Sequence, residues 1–388
     1  MTRGTGSTAG LRGQERRRGA PLRVWIGPAV AARRPQDVAP APEAPYARTM
    51  SNLETRPQEQ LCGAGSQGAQ VEVLTSRDVP LGGPRAMTVR RTIPQRARSL
   101  VGAWCFCDHY GPDDVSRSAG MQVPPHPHTG LQTVTWLFEG EVMHRDSLGS
   151  EQRVRPRELN LMTAGRGISH SEESPRSHGP VLHGVQLWTA LPASALGDRP
   201  SFEHHGNLPD VFAFGARVQV IMGRVGLGGR WMVSPATTHT PLVAAQVDLD
   251  PGSDVRLDVD PVHEHALLVD HGEATLEGEV VPPSALGYVG PGRDELRVTA
   301  STAGPVRAVL IGGEPFDEEI VMWWNFVGRS HEDVARARAD WQVQLEPGAD
   351  GAAPGHAEGA RFGRVDGYAG PPLPAPALPD VRLRPRTR

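Results

Sequence analysis

Pro125-His126-Pro127-His128-Thr129-Gly130-Leu131-Gln132-Thr133-Val134-Thr135 is the stretch on which the reading of this chain turns. His126 and His128 form a His-x-His pair, and His170-Ser171-Glu172 answers it farther along. In an extended strand, residues i and i+2 point to one face, roughly 6 to 7 Å apart. Each trio therefore delivers two ligand-type side chains to one side of a sheet. Two such strands facing each other place three imidazoles and one carboxylate around one point. That donor set suits a divalent transition metal, and an octahedral ion would keep two positions open.

Around these trios the texture is that of an all-β protein. Short runs of Val, Ile, Leu, Thr and Trp alternate with polar residues and stop at Gly or Pro. Leu131 to Phe138, the turn Glu139-Gly140-Glu141 and Val142 to Arg145 read as a hairpin. Leu159 to Thr163 and Val181 to Trp188 read as further strands, and the pattern resumes from Arg217 to Ile311. Strands sustained at this spacing predict two sandwich or barrel domains. The expected division is a disordered extension over 1–60, a metal-binding domain over 70–192 and a second domain over 210–315. A helical segment over 316–346 and a Pro/Gly-rich tail over 347–388 follow. Pro192, Pro200 and Pro209 punctuate the connector, in which His204-His205 is expected to be solvated. In the helix, Ser330-x-x-Asp333 resembles a capping box, and Val334, Ala337, Trp341 and Leu345 share a face. Phe362, Tyr368 and Leu373 offer anchors for an extended tail.

Composition narrows the function class. The chain has 388 residues and a net charge of −4, so nothing global argues for nucleic acid or membrane surfaces. Every basic residue is arginine, in core and surface segments alike, which reads as coding bias. The 45 glycines and 37 prolines are dense in the two ends and otherwise punctuate strands. Residues 1–49 are rich in arginine and show no hydrophobic period. A nucleic-acid-touching arm is one reading of them. A disordered extension is favoured, because there is too little apolar surface to offset ordering. Met50-Ser51-Asn52 reads as an alternative start. Arg16-Arg17-Arg18 lacks the apolar run an export signal needs, and no run reaches the length of a bilayer span. Cys62, Cys105 and Cys107 give no disulfide framework. A cytoplasmic protein with no membrane or direct nucleic-acid partner is expected.

An internal echo bears on the second domain. Gly165-Arg166-Gly167-Ile168-Ser169-His170 is answered by Gly290-Pro291-Gly292-Arg293-Asp294-Glu295. Glu295 then stands in the place of His170 and Arg297 in that of Glu172, and a guanidinium repels a cation. The second domain also has His263 and His265. His128 lies twelve residues before Gly140, whereas His265 lies seven before Gly272. An odd difference puts these histidines on the opposite face unless a bulge intervenes. A degenerate second site is expected.

Two long motifs match a family. Pro125 to Thr135 resembles the first signature of the pirin family, within the cupin superfamily, and Met162-Thr163-Ala164-Gly165-Arg166-Gly167-Ile168-Ser169-His170-Ser171-Glu172 its second. Cys107 to Pro112, His144 to Gly149, Gly184 to Trp188 and Gly313 to Pro315 are similar to flanking blocks. The resemblance implies a bicupin with one metal in its first barrel. It implies His126, His128, His170 and Glu172 as ligands and Fe(II) as the metal, with Mn, Ni, Cu or Zn as alternatives. It also implies two functions to weigh. One is a quercetin 2,3-dioxygenase-type enzyme that opens a flavonol with O2, with Glu172 as catalytic base. The other is a non-catalytic iron-dependent redox sensor or co-regulator that binds a protein partner. His144 and Asp146, another i, i+2 pair, read either as partners orienting a ligand imidazole or as a surface ion pair. His109 and His183 read as structural. Arg166, between two glycines, reads either as an anion contact or as a turn stabiliser.

Overall fold

The computed structural model describes residues 60–62, 71–81, 87–346 and 360–385. The expectations for the N-terminal extension and for Met50 lie outside these residues, as do the side chains of the short strand Gln60–Cys62. Among the described residues the architecture is two β-barrels and one helix.

The strands that build the first barrel around the motifs are β1 (Trp104–Asp114), β2 (Gln122–His128), β3 (Leu131–Glu139), β4 (Val142–Asp146), β5 (Leu159–Thr163), β6 (Ile168–Glu173) and β7 (Val181–Ala190). A seven-stranded sheet contains β5, β3, β7 and β1 in that order, and a four-stranded sheet contains β2, β6 and β4. Ser201–His205 pairs with β5, so His204 and His205 stand on an edge strand of this barrel rather than in a solvated connector. His204 bonds Asn160 through Nδ1 at 2.8 Å. The boundary expected at residue 192 therefore falls too early.

In the second barrel, β8 (Leu242–Leu249), β9 (Glu264–His271), β10 (Leu286–Val289) and β11 (Val306–Gly313) share a seven-stranded sheet. Glu72–Leu74 completes it by pairing with β10. Those residues were expected in the first domain. The chain thus contributes a strand to the second barrel before it enters the first.

The two large sheets pack face to face. One apolar cluster holds Trp104, Trp136 and Val134 from the first barrel with Ala266, Leu268 and Ile311 from the second. Trp136 Nε1 donates to Gln246 Oε1 at 2.8 Å and Trp104 Nε1 to the Gly312 carbonyl at 3.0 Å, so neither buried indole is left unpaired. Inside the second barrel the core is almost wholly Val, Leu and Ala.

After the barrels come β12 (Ile320–Trp323), β13 (Phe326–Gly328) and α1 (His331–Leu345). Ser330 caps the helix by accepting from Asp333 N at 3.2 Å, while Asp333 accepts from Arg329 N at 3.0 Å. Val334, Ala337 and Trp341 are buried against Trp323, Trp324 and Phe326. Residues 360–385 join this cluster through Phe362, Ala375 and Leu383. Of the expected anchors, Leu373 packs on the cluster's edge and donates its amide to the Pro125 carbonyl at 2.8 Å.

Candidate metal centre

The site is built by three hydrogen-bonded neighbours in the small sheet. The donor strands β2 and β6 are adjacent and antiparallel, with His170 opposite His126, rather than facing each other across a barrel. A bulge follows: Glu172 is opposite Val123, so Pro124 and Pro125 share the place opposite Ser171. Prolines have no N–H to give the ladder, and β2 is the sheet's edge, where they are tolerated. On the other side of β6, His144 stands opposite Glu172 and Asp146 opposite His170.

Ligand atoms of His126, His128 and His170 lie within 4.8 Å of one another. Glu172 is gathered instead with His170 and His144 over the same span. Three of the four expected residues therefore converge directly, and the fourth borders them through His170. All four are buried, at 2 %, 0 %, 1 % and 4 % exposure.

The groups behind each ring fix its proton. His126 Nδ1 lies 2.8 Å from the Pro124 carbonyl and His128 Nδ1 3.1 Å from the Asn325 carbonyl. A carbonyl only accepts, so both Nδ1 atoms carry hydrogen and both Nε2 atoms keep a lone pair. His170 Nδ1 faces His144 at 3.3 Å, and its Nε2 lies 3.1 Å from His128 Nε2. Two nitrogens about 2.1 Å from one ion and about 90° apart would be separated by about 3.0 Å. The donor set and its spacing fit a divalent cation.

Electrostatics agree. Burial lowers the His126 imidazole to about 4, against the help of the Pro124 carbonyl. Burial, followed by neighbouring imidazoles, holds His128 and His170 well below the usual range. All three are neutral donors at physiological pH. Burial raises the Glu172 carboxyl, opposed by His144 and by the Thr135 hydroxyl, which donates to Glu172 Oε1 at 2.8 Å.

Residues 86–189 match the Pirin family and residues 244–345 match the Pirin C-terminal cupin domain. The chain belongs to the pirin family. A relative from Pseudomonas aeruginosa named "Putative quercetin 2,3-dioxygenase PA1205" is 41% identical over 79% of this chain and 90% of its own length. A "Pirin-like protein" of Caulobacter vibrioides is 36% identical, covering 66% of this chain and 88% of its own. A crystal structure titled quercetin 2,3-dioxygenase from Acinetobacter baumannii superposes with a TM-score of 0.71 at 36% identity, covering 81% of this chain and 98% of that one.

This pirin has a second buried His–His–carboxylate group, formed by His109, His183 and Asp270 across the two barrels. Both Nε2 atoms lie 2.6 Å from Asp270 Oδ1. Here arginines stand behind the rings: Arg90 Nε is 3.3 Å from His109 Nδ1 and Arg307 Nη2 is 3.2 Å from His183 Nδ1. Arginine only donates, so each Nδ1 accepts and each Nε2 carries the hydrogen. No imidazole lone pair faces the centre, and the group is a hydrogen-bonded clasp rather than a donor set. No motif or spacing pointed to Asp270, which reaches both histidines across the barrel interface and Arg307 within its own barrel.

In the second barrel the glycine echo misplaces its residues. Glu295 and Arg297 are exposed, pairing with Arg256 and Asp254, while Leu296 and Val298 fill the interior. His265 shares the inward face of β9 with Leu267 and Val269, and a register shift between Val269 and His271 supplies the bulge that upsets the offset argument. Burial lowers His265 to about 3, and neither ring nitrogen has a hydrogen-bond partner among the described residues. Nor does a group of three donors form around it among those residues. Arg166 is exposed, with its backbone tied to Asp198 and Arg361. Cys105 and Cys107 are buried.

Proposed function

We propose that His126, His128, His170 and Glu172 hold one divalent ion, Fe(II) foremost, and that the protein opens flavonols with O2 as a quercetin 2,3-dioxygenase does. The observation that carries this reading is the convergence of neutral imidazoles whose Nδ1 protons are engaged elsewhere. The names of the relatives supply the substrate class. Bound there, a redox-active ion supplies Lewis acidity and electron transfer to O2.

The protein's own work is placement, exclusion of water and proton handling. Thr135 occupies one oxygen of Glu172, and the other serves in turn as ligand and as acceptor of a flavonol 3-hydroxyl proton. Burial makes that carboxylate a stronger base than one in water. The aromatic Trp188 stands edge-on, 5.1 Å from the His128 ring, and helps fix that ring's orientation.

The test is anaerobic loading with Fe(II), then addition of quercetin and O2 with ultraviolet monitoring. Loss of the flavonol band with release of carbon monoxide supports the enzyme. A fully loaded protein that leaves quercetin intact rejects quercetin as its substrate and favours the sensor reading. His126→Ala and Glu172→Ala should each abolish tight iron binding. Stoichiometric iron in both variants would reject the site.

A further inference from the structure

Behind His170 lies a chain of groups that the proposed chemistry does not use. His170 Nδ1 is 3.3 Å from His144 Nδ1, and His144 Nε2 is 3.1 Å from Asp146 Oδ2. The other carboxylate oxygen, Asp146 Oδ1, accepts from Leu148 N at 2.9 Å and Ser150 N at 3.0 Å. His144 and Asp146 are each 2 % exposed, and the His144 ring stacks on Phe202 at 4.4 Å. The surface ion-pair reading of these residues is excluded.

The polarity of this chain is set at its outer end. Backbone amides cannot reverse, so Oδ1 must accept. A carboxylate's second oxygen also only accepts, so His144 Nε2 donates to it. The Nδ1–Nδ1 contact needs one donor and one acceptor, and with the His144 proton engaged by Asp146, His144 Nδ1 accepts from His170 Nδ1–H. His170 Nε2 is left with its lone pair, facing His128 Nε2. His126 and His128 have carbonyls directly behind them; His170 has Asp146 at one remove. We infer that Asp146, acting through His144, dictates the tautomer of His170 and so decides whether that imidazole can hold a cation. Asp146 and His144 are positioning residues, and the inference rests on the metal reading above.

One consequence separates this role from simple support. In Asp146→Asn the side-chain oxygen stays with the two amides, because an NH2 placed there would meet two donors. The NH2 then faces His144 Nε2 and donates. Every hydrogen bond in the chain reverses: His144 Nδ1–H donates to His170 Nδ1, and the His170 proton moves to Nε2. His144→Phe, by contrast, keeps a ring against Phe202, removes the connection and leaves His170 free to take either tautomer. Reversing the relay is therefore worse than deleting it.

The experiment uses full-length apo protein. Fe(II) is titrated anaerobically against a competing chelator for wild type, Asp146→Asn, His144→Phe and the double variant. Loss of a group orienting a ligand weakens binding about tenfold to a hundredfold. His144→Phe should fall near the low end of that range and Asp146→Asn near the high end. The double variant should return to the His144→Phe level, because the introduced amide no longer has a route to His170. That rescue also shows that Asp146→Asn had not merely unfolded. Nitrogen-15 NMR of the apo proteins should place the His170 proton on Nδ1 in wild type and on Nε2 in Asp146→Asn. An unchanged tautomer, or a double variant weaker than Asp146→Asn, overturns the relay. Wild type with the expected tautomer but no Fe(II) uptake overturns the metal reading instead.

Discussion

Replacing Asp270 with alanine removes the centre of the clasp between the barrels. Its carboxylate accepts from His109 and His183 at 2.6 Å each and from Arg307 Nε at 2.5 Å. Removing one partner of a buried charge pair costs about 3–5 kcal/mol, because the other groups are left without an acceptor. Arg307 is 30% exposed and can turn to water, but His109 and His183 are buried and cannot. A loss of about 3 kcal/mol is therefore expected, a large share of the roughly 5–15 kcal/mol that holds a typical domain. Urea unfolding followed by tryptophan fluorescence reads it, since Trp104 and Trp136 lie in the interface. The midpoint should fall with little change in slope. Asp270→Asn should cost less, about 1.5–3 kcal/mol, because its oxygen still serves both rings and only the Arg307 contact is lost. A loss below about 1 kcal/mol for the alanine variant would refute the clasp. So would a fall in bound-metal stoichiometry, because the arginines behind both rings deny them a donor role.

Other outcomes follow from the same geometry. Thr135→Val removes the hydroxyl on Glu172, so metal affinity at neutral pH should drop by about tenfold in a calorimetric titration; unchanged affinity would remove Thr135 from the site. His126 falls from the ordinary 6.5 to about 4 on folding, so the unfolded chain binds more protons between those values. Apo-protein stability should therefore decline as pH drops through that window, and a melting temperature flat from pH 7 to 4 contradicts this. Burial pushes the Cys107 thiol up to about 12. Iodoacetamide at pH 8 should leave Cys105 and Cys107 unmodified by mass spectrometry while the protein is folded. Phe362→Ala should cost about 3–5 kcal/mol, since the ring is buried against Trp341 and Phe326; a smaller loss would mean the tail is not anchored there.

The candidate donor residues were legible because the chemistry and the strand share a period. Two residues at i and i+2 of an extended strand share a face, so His126 with His128, and His170 with Glu172, could be paired from sequence. Their strands being neighbours was not legible, because pairing order is a tertiary fact. The same limit hid Asp270, which meets His183 across 87 positions of sequence. It also hid Glu72–Leu74, three residues that read as the start of one barrel and complete the other. The echo at Glu295 failed for a local reason. Matching the glycines gives the turn, but one residue of slip sends every following side chain to the opposite face. His265 failed through a bulge, which leaves no mark in composition.

The carbonyl that orients His128 belongs to Asn325, 197 positions downstream and past the end of the second barrel. The Val327 amide bonds the Thr129 carbonyl at 3.0 Å beside it. A chain emerging from the ribosome thus displays all four side-chain donors well before it owns the acceptor that orients one of them. On the proposed metal reading, tight loading becomes a property of the finished polypeptide, and a fragment stopping short of Asn325 should take up its ion more weakly than the whole.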